Sequence, residues 1–458
     1  MKFIAHSRNA KLIAIFIFIL LIVGIRLSIL VVQKQGLVVT PALSATSITN
    51  PTLQNVEQSI LDNIRANGFD SDRRVNSGLG GLWINWRYGT NPLQTNFDGS
   101  GRPYEPGSSQ PPSHDILTDL RYIHNLWSYK TQYPSDHRYD SEIARYTSII
   151  KSDFANPVNE RGWLYDEFIA IYHLSHDTFY KEAALKLVSA YAREYDPKVG
   201  SIYKQNSTTP RGSYRVDLTL ESGTALIQAG VLFGNASWQQ IGQNIVNYIY
   251  AHAYIPRYHL FADMMDNVLQ ADGSPNPEQD FYISHYRNYV VRGNSMKMGE
   301  ISQMIISLLD TYQATHNQDF LSKATDLLDN FSLPNDPLDM WDYLNSGYYF
   351  SVTFNGTSPS DPGTITISRT HKEAGRQVGM LEAFHLANLF TNRRYKHMED
   401  LMLAVALNKA YYAPGHGVLF EVNADWTSIT FSDDTPANNV TTEAMGIELE
   451  SLFSLSGE

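Results

Sequence analysis

His176-Asp177-Thr178-Phe179-Tyr180-Lys181-Glu182-Ala183 and His316-Asn317-Gln318-Asp319-Phe320-Leu321-Ser322-Lys323-Ala324 share one pattern. In each, a helical stretch ends at a short polar turn, an aromatic follows, and a second helix begins. Phe179 and Ala183 align with Phe320 and Ala324. Asn235-Ala236-Ser237-Trp238 and Thr391-Asn392-Arg393-Arg394-Tyr395 do the same job, and Asp136-His137-Arg138-Tyr139 is a weaker copy. The polar residues cap the second helix by accepting from its free N–H groups, and the aromatic wedges between the two helices. Such hairpins cannot bury their faces alone and must stack.

Hydrophobic period supports the helices. Ile301, Met304, Ile305, Leu308 and Leu309 recur at helical spacing, as do Phe320, Ala324, Leu327, Leu328 and Phe331, and Ile241, Ile245, Val246 and Ile249. About twelve helices follow, over 52–67, 115–132, 139–155, 161–176, 178–195, 217–233, 236–254, 293–315, 318–332, 372–391, 394–412 and 440–454. Turns within a hairpin are short. Connections between hairpins are long, at 196–216, 255–292, 333–371 and 413–439, and contain short β-like runs. Long loops gathered at one end build a rim, where sites form. The expected fold is all-α: an (α/α)6 toroid of six helical hairpins, with short β-hairpins in the rim loops.

Composition bounds the function. The chain has 458 residues, 43% of them hydrophobic, and a formal net charge of −12, which excludes a nucleic-acid footprint of clustered Lys and Arg. With no cysteine, disulfides, thiolate zinc sites and a Cys nucleophile are excluded. No His-Glu-x-x-His, phosphate-binding glycine fingerprint or Gly-x-Ser-x-Gly elbow occurs, so no metal or cofactor is expected. Lys2, Arg8 and Lys11 precede an apolar run, Leu12 to Val32, broken by Arg26. The run is long enough to span a bilayer, and positive charge before it places the N-terminus inside. The expected organisation is a cytoplasmic 1–10, a transmembrane signal-anchor at 11–32, a linker at 33–50 and the toroid at 51–458, outside the cytoplasm. The alternative is secretion after cleavage near Ala42-Leu43-Ser44-Ala45.

Six hairpins with short turns at one end and long loops at the other resemble the six-hairpin glycosidase superfamily, which includes glycoside hydrolases, uronate-acting lyases and sugar epimerases. Gly162-Trp163-Leu164-Tyr165-Asp166-Glu167-Phe168, opening a helix, is similar to bacterial endo-mannanases of that group. Those enzymes place adjacent aspartates at such a position, followed by Trp; here the pair is Asp166-Glu167, followed by Phe168 and Ile169.

The resemblance implies inner helices whose first turns aim side chains at a cleft. Those starts are Ser113-His114-Asp115, Tyr165-Asp166-Glu167, Asp217 with Glu221, Arg292 to Glu300, His371-Lys372-Glu373 and Thr442-Glu443. Glycoside hydrolysis needs two carboxyl groups flanking the bond, and the catalytic candidates are Asp166, Asp217, Glu221 and Glu373. Asp166 and Glu167 diverge by about 100° around a helix, so one of them is expected in the cleft, and Asp166 is preferred. First-turn acids also serve as plain caps, the commoner role for Asp115 or Asp217 taken singly. Asp217 and Glu221 share a helix face, a mildly repulsive arrangement that argues for function. Trp83, Trp86, Trp163 and Tyr214 are candidates to stack on sugar rings. His114, Asp115, Arg292, His371 and Arg376 complete the expected binding set.

The expected partner is a carbohydrate, with the acidic body favouring a neutral or basic glycan. A uronate lyase or epimerase would use the cluster His285, Tyr286, Arg287, Tyr289 and Arg292. A non-catalytic toroid binding glycan or protein would lack a convergent carboxylate pair.

Overall fold

The computed structural model describes residues 51–69, 80–82, 85–87, 116–154, 162–197, 200–202, 212–267, 284–286, 289–291, 294–334, 336–356, 360–429 and 439–455. They fall within one compact unit, Thr49–Gly457. The apolar run at 12–32 lies outside the described residues. Among those described, no helix is long and apolar enough to cross a membrane.

Every expected helix is present: α1 (Pro51–Asn63), α2 (Ile116–Gln132), α3 (Asp140–Asp153), α4 (Gly162–Ser175), α5 (Thr178–Glu194), α6 (Val216–Leu232), α7 (Ala236–His252), α8 (Met298–Thr315), α9 (Gln318–Asp329), α10 (Gly379–Phe390), α11 (Lys396–Val405) and α12 (Thr442–Ser454). The even-numbered helices touch in the order α2, α4, α6, α8, α10, α12, and α12 returns to α2. That is a closed inner ring. Each odd-numbered helix packs outside a ring member, and α1 lies against α12, so the sixth hairpin is made by the two ends of the domain.

Burial separates the layers. An outer helix needs one apolar stripe. In α9 that stripe is Phe320, Leu321, Ala324, Leu327 and Leu328. An inner helix is enclosed by two ring neighbours and its own outer partner. In α6 nearly every residue from Val216 to Gly230 is buried, including Asp217 and Glu221. The α6–α7 pair is drawn especially close by glycine. A Cβ on Gly242 would run into the Gly223 carbonyl and Ile227.

The hairpin turns repeat in detail, with one correction to the alignment of their aromatics. His176, Gly234 and His316 all adopt positive φ, of 58°, 68° and 54°. The next residue is the N-cap: Asp177 accepts from the Phe179 N–H, Asn235 from Trp238 and Asn317 from Asp319. Counting from the cap, the equivalent aromatics are Tyr180, Trp238 and Phe320, and Ala184 matches Ala324. The sequence register of Phe179 and Ala183 is off by one, because the second turn carries its aromatic one residue later. Tyr180 and Phe320 are each 1% exposed, whereas Phe179 is half-buried.

A second correction concerns the fifth inner helix. It begins at Gly379, not near residue 372. His371–Glu373 is a strand paired with Glu421–Asn423, and Arg376–Val378 is a 3-10 turn. The strand lets Lys372 point away from the ring, fully buried, to Asp342 at 2.7 Å and to the carbonyls of Ser346 and Ala424. It thereby clamps two rim loops together.

The corrected register makes an unequal pair. Tyr180→Ala should cost about 3–5 kcal/mol, as expected for a fully buried aromatic. Phe179→Ala should cost clearly less, measured by equilibrium denaturation of the full chain. Equal losses would restore the register read from sequence.

Candidate active site

Inner helices start at the end where the long connections gather, and their first turns carry a layer of paired charges. Arg215, immediately before α6, donates through Nε to Asp217 Oδ1 at 3.0 Å and through Nη2 to Glu300 Oε1 at 3.0 Å. Lys297, preceding α8, meets the same Glu300 oxygen at 3.2 Å. Glu373 accepts from the Gly299 N–H at 3.2 Å and from Arg376 Nη1 at 3.2 Å. Arg376 Nη2 reaches both oxygens of Glu443, at 2.9 and 3.1 Å. Glu443 Oε1 lies 3.8 Å from Arg121 Nη1. The chain of charges therefore runs from α6 through α8 and the 3-10 turn to α12 and α2.

Deeper in the ring is a cavity of about 140 Å³. Arg121 and His124 of α2, Trp163, Asp166 and Glu167 of α4, Asp310 of α8, Glu382 of α10 and Glu450 of α12 line it, together with Gln303, Ile306 and Ser307. Both Asp166 and Glu167 reach this lining, so the expected choice between them does not arise. Arg121 Nε donates to Glu167 Oε1 at 3.0 Å and lies 3.6 Å from Glu450. The guanidinium sits 5.3 Å from the Trp163 ring centroid. His124 Nδ1 is 2.9 Å from Glu167 Oε2.

These contacts set protonation. Burial pushes Glu167 up, but the hydrogen bond and charge of His124 and the charge of Arg121 outweigh it, leaving the carboxyl below its ordinary range. Asp166 is pushed well above, by burial first and then by the negative charges of Asp310 and Glu167. Burial raises Asp310 to about 7. Burial and then Asp310 and Glu167 raise Glu382 to about 8. The cavity therefore sets one carboxyl that ionises readily beside several that ionise only at higher pH.

His124, Glu167 and Glu450 also offer three possible metal-ligand atoms within 4.8 Å of one another. Arg121 already supplies a cation to both carboxylates, so a metal ion there would face its repulsion.

The other expected residues divide as follows. Asp217 and Glu221 are fully buried in α6. Asp217 is clasped by Arg215, and among the described residues neither Glu221 oxygen has a hydrogen-bond partner of good geometry, the Trp163 indole lying beside it. Burial, then Asp217, keeps Glu221 protonated, which makes its burial affordable. Glu373 and Arg376 belong to the upper layer. His371 lies 3.5 Å from Glu421, on the short strand that also carries Glu373. Trp163 walls the cavity. Trp86 lies on the strand Asn85–Arg87, paired with Asn439–Thr441 ahead of α12. Tyr214 lies on Gly212–Arg215, paired with Met264–Asn267. Trp83, His114, Asp115 and Arg292 fall outside the described residues. Sequence reading missed Arg121, His124, Asp310, Glu382 and Glu450. Their one signal is a charged residue at helical spacing inside an otherwise apolar inner helix.

With this geometry in view, the comparisons place the fold. No protein-family model matches the chain, and no curated relative matches it. Solved structures do. An unsaturated glucuronyl hydrolase specific for heparin matches at 12% identity and TM-score 0.59, over 88% of this chain and 96% of that one. D-mannose isomerase matches at 11% and 0.59, over 91% and 98%. An inactive variant of the α-1,6-mannanase of Salegentibacter sp. HEL1_6, with two consecutive aspartates changed to asparagine and α-1,6-mannotriose bound, matches at 12% and 0.55, over 88% and 99%. The fold, a closed ring of six helical hairpins, is the one these solved structures share.

The raised carboxyls give a pH signature. In the unfolded chain Glu382 ionises near the ordinary 4.5; in the native protein it holds its proton to about 8. Between these values the unfolded state releases a proton that the native state keeps, so stability falls as pH rises. Glu382→Gln removes that loss. Its melting temperature relative to the parent should climb from about pH 5 to about pH 8.5, with a gain on the order of a few kcal/mol at the top. A constant offset across that range would refute the assignment.

Proposed function

We propose that this protein is a glycan-cleaving enzyme, a glycoside hydrolase working through Asp166 and Glu167. The observation that carries this reading is the pair of adjacent carboxyls on one inner helix, both lining the central cavity, with Glu167 bonded to Arg121 and His124; burial raises Asp166 while those partners lower Glu167. Glycosidic cleavage asks for an acid that still holds its proton and a carboxylate that does not. Asp166 fits the first role, protonating the leaving oxygen. Glu167, held ionised by His124 and Arg121, fits the second, activating water or attacking the anomeric carbon. Support also comes from the mannanase of the same fold, whose inactive variant has two consecutive aspartates replaced.

A second reading has its own observation. The His124–Glu167 hydrogen bond is the arrangement that would make His124 a proton carrier beside a sugar carbon, as epimerisation or isomerisation requires. D-mannose isomerase shares the fold.

We further propose that the run Leu12 to Val32 anchors the chain, with the toroid outside the cytoplasm. The charge order around the run supports that orientation. Fractionation should find the full chain in membranes and its toroid open to added protease in cells stripped of any outer layer. Release by salt alone would overturn the anchor.

The chemistry is tested with the full chain on a panel of oligosaccharides, reading new reducing ends against interconverted monosaccharides. Asp166→Asn and Glu167→Gln should each lower kcat/KM by about 10²–10⁴-fold while leaving the melting temperature within a few degrees. Undiminished cleavage by either variant would remove the pair from the mechanism. Interconversion without cleavage would move the assignment to the second reading.

A further inference from the structure

The upper layer of charges is sorted by depth. The carboxylates lie underneath: the side chains of Asp217, Glu300 and Glu373 are 0%, 2% and 1% exposed. The cations lie on top: Arg215, Lys297 and Arg376 are 31%, 35% and 21% exposed. Ion pairs need not be layered this way. Burying the carboxylate of each pair and presenting its cation has a desolvation cost, and it gives the solvent-facing side of the layer a positive field.

The three cations also converge. Arg215 and Lys297 share one oxygen of Glu300. Arg376 lies close enough to add to the charge that holds Glu300 ionised, and it grips Glu373, which is bonded to the backbone beside Glu300. Two partly exposed acids adjoin the layer. Burial, then the charge of Glu300, pushes the Asp263 carboxyl up to about 8, which keeps it largely neutral near pH 7. The other is Glu443. Arg376 holds both its oxygens and Arg121 lies beyond, so its charge is doubly compensated. Lys297 keeps donors to spare. Among the described residues its Nζ makes a single ion pair, to Glu300, and an ammonium has three protons to give.

We propose that Arg215, Lys297 and Arg376 form an anion subsite above the central cavity, which takes the carboxylate or sulfate of an acidic sugar. The whole-chain charge of −12 points to neutral glycans, but a substrate responds to the local field at the cleft, and here that field faces outward as positive. Forked guanidinium groups and a lysine ammonium are the donors that carboxylate and sulfate oxygens prefer. The sugar ring attached to that group would then extend toward Asp166 and Glu167. This inference rests on the glycan-cleaving reading for its substrate, but not for its binding measurement.

Calorimetric titration of the full chain with D-glucuronate, D-glucose 6-sulfate and D-glucose tests it. At least one acidic sugar should bind and D-glucose should not, and the stronger of the two acidic sugars identifies the anion. Lys297→Gln leaves Glu300 paired with Arg215, so the layer stays intact, and it should weaken the acidic sugar by roughly tenfold or more. Lys151→Gln removes a lysine of the outer helices, paired there with Asp177, and should keep the parental affinity. Equal binding of glucose and the acidic sugars, no binding of either acidic sugar, or equal loss in both lysine variants would overturn the subsite. Binding of an acidic sugar without any glycan cleavage would leave the subsite standing and sink the hydrolase reading. Cleavage of neutral glycans alone, with no acidic sugar bound, would do the reverse.

Discussion

One buried guanidinium holds the ring's charges together. Arg121 stands in α2, 2% exposed, and its partners come from three other inner helices: Glu167 of α4, Glu443 and Glu450 of α12, and Gln303 of α8. Helices α2 and α12 form the seam where the first inner helix meets the last. An apolar seam would close the ring equally well. A cation there has a further consequence, since it allows carboxylates from both sides of the seam to sit at the centre. Removing Arg121 would leave Glu167 and Glu450 facing each other inside the ring, and breaking a buried pair of this kind costs far more than never having made it.

Around that cation the acids separate into two states. Glu167 is bonded to Arg121 and His124 and stays ionised. Burial pushes Asp166 and Glu450 well above the ordinary carboxylate range, Glu382 to about 8 and Asp310 to about 7. Glu221 and Glu448, whose oxygens have no well-formed hydrogen bond among the described residues, are the extreme case, pushed well above the ordinary range by burial. In the cavity lining Arg121 and His124 face five carboxyl groups, and burial holds four of those five above the ordinary carboxylate range. The upper layer is the opposite case: Arg215, Lys297 and Arg376 sit over Asp217, Glu300 and Glu373, and Arg376 also holds Glu443.

The ring was legible in the sequence because it is written locally. A cap, an aromatic and a hydrophobic stripe all fall within a few residues, and each recurs. The errors arose where the signal was ambiguous within a turn. Phe179 and Tyr180 are adjacent aromatics, and only the cap at Asp177 distinguishes the one that goes inside. His371-Lys372-Glu373 reads as a polar helix start, but Lys372 has its partners in Asp342 and the Ala424 carbonyl, far away in sequence, and they pull the segment into a strand. The central cavity was less legible for the same reason. Asp166 and Glu167 show themselves as a first-turn pair. Arg121 and Glu450 lie mid-helix, hundreds of residues apart, and a charged residue there looks like an exposed face until the ring closes.

The fold alone selects no chemistry. Matching solved structures at 11–12% identity are named as a glycan hydrolase on uronate-type substrates, a mannanase and a sugar isomerase, so one scaffold supports both bond cleavage and proton relocation. What these reactions share is a need to place an acid and a base on either side of a sugar atom in a water-poor chamber. Helix starts around a ring provide six directions from which to do so. What distinguishes the reactions is which group keeps its proton. If Glu167 acts directly on the sugar, His124 positions and charges it; if His124 is the carrier, Glu167 positions the imidazole. The same 2.9 Å hydrogen bond serves either arrangement, and Arg121, 3.0 Å from Glu167, favours the proton on the imidazole side of it by stabilising the carboxylate.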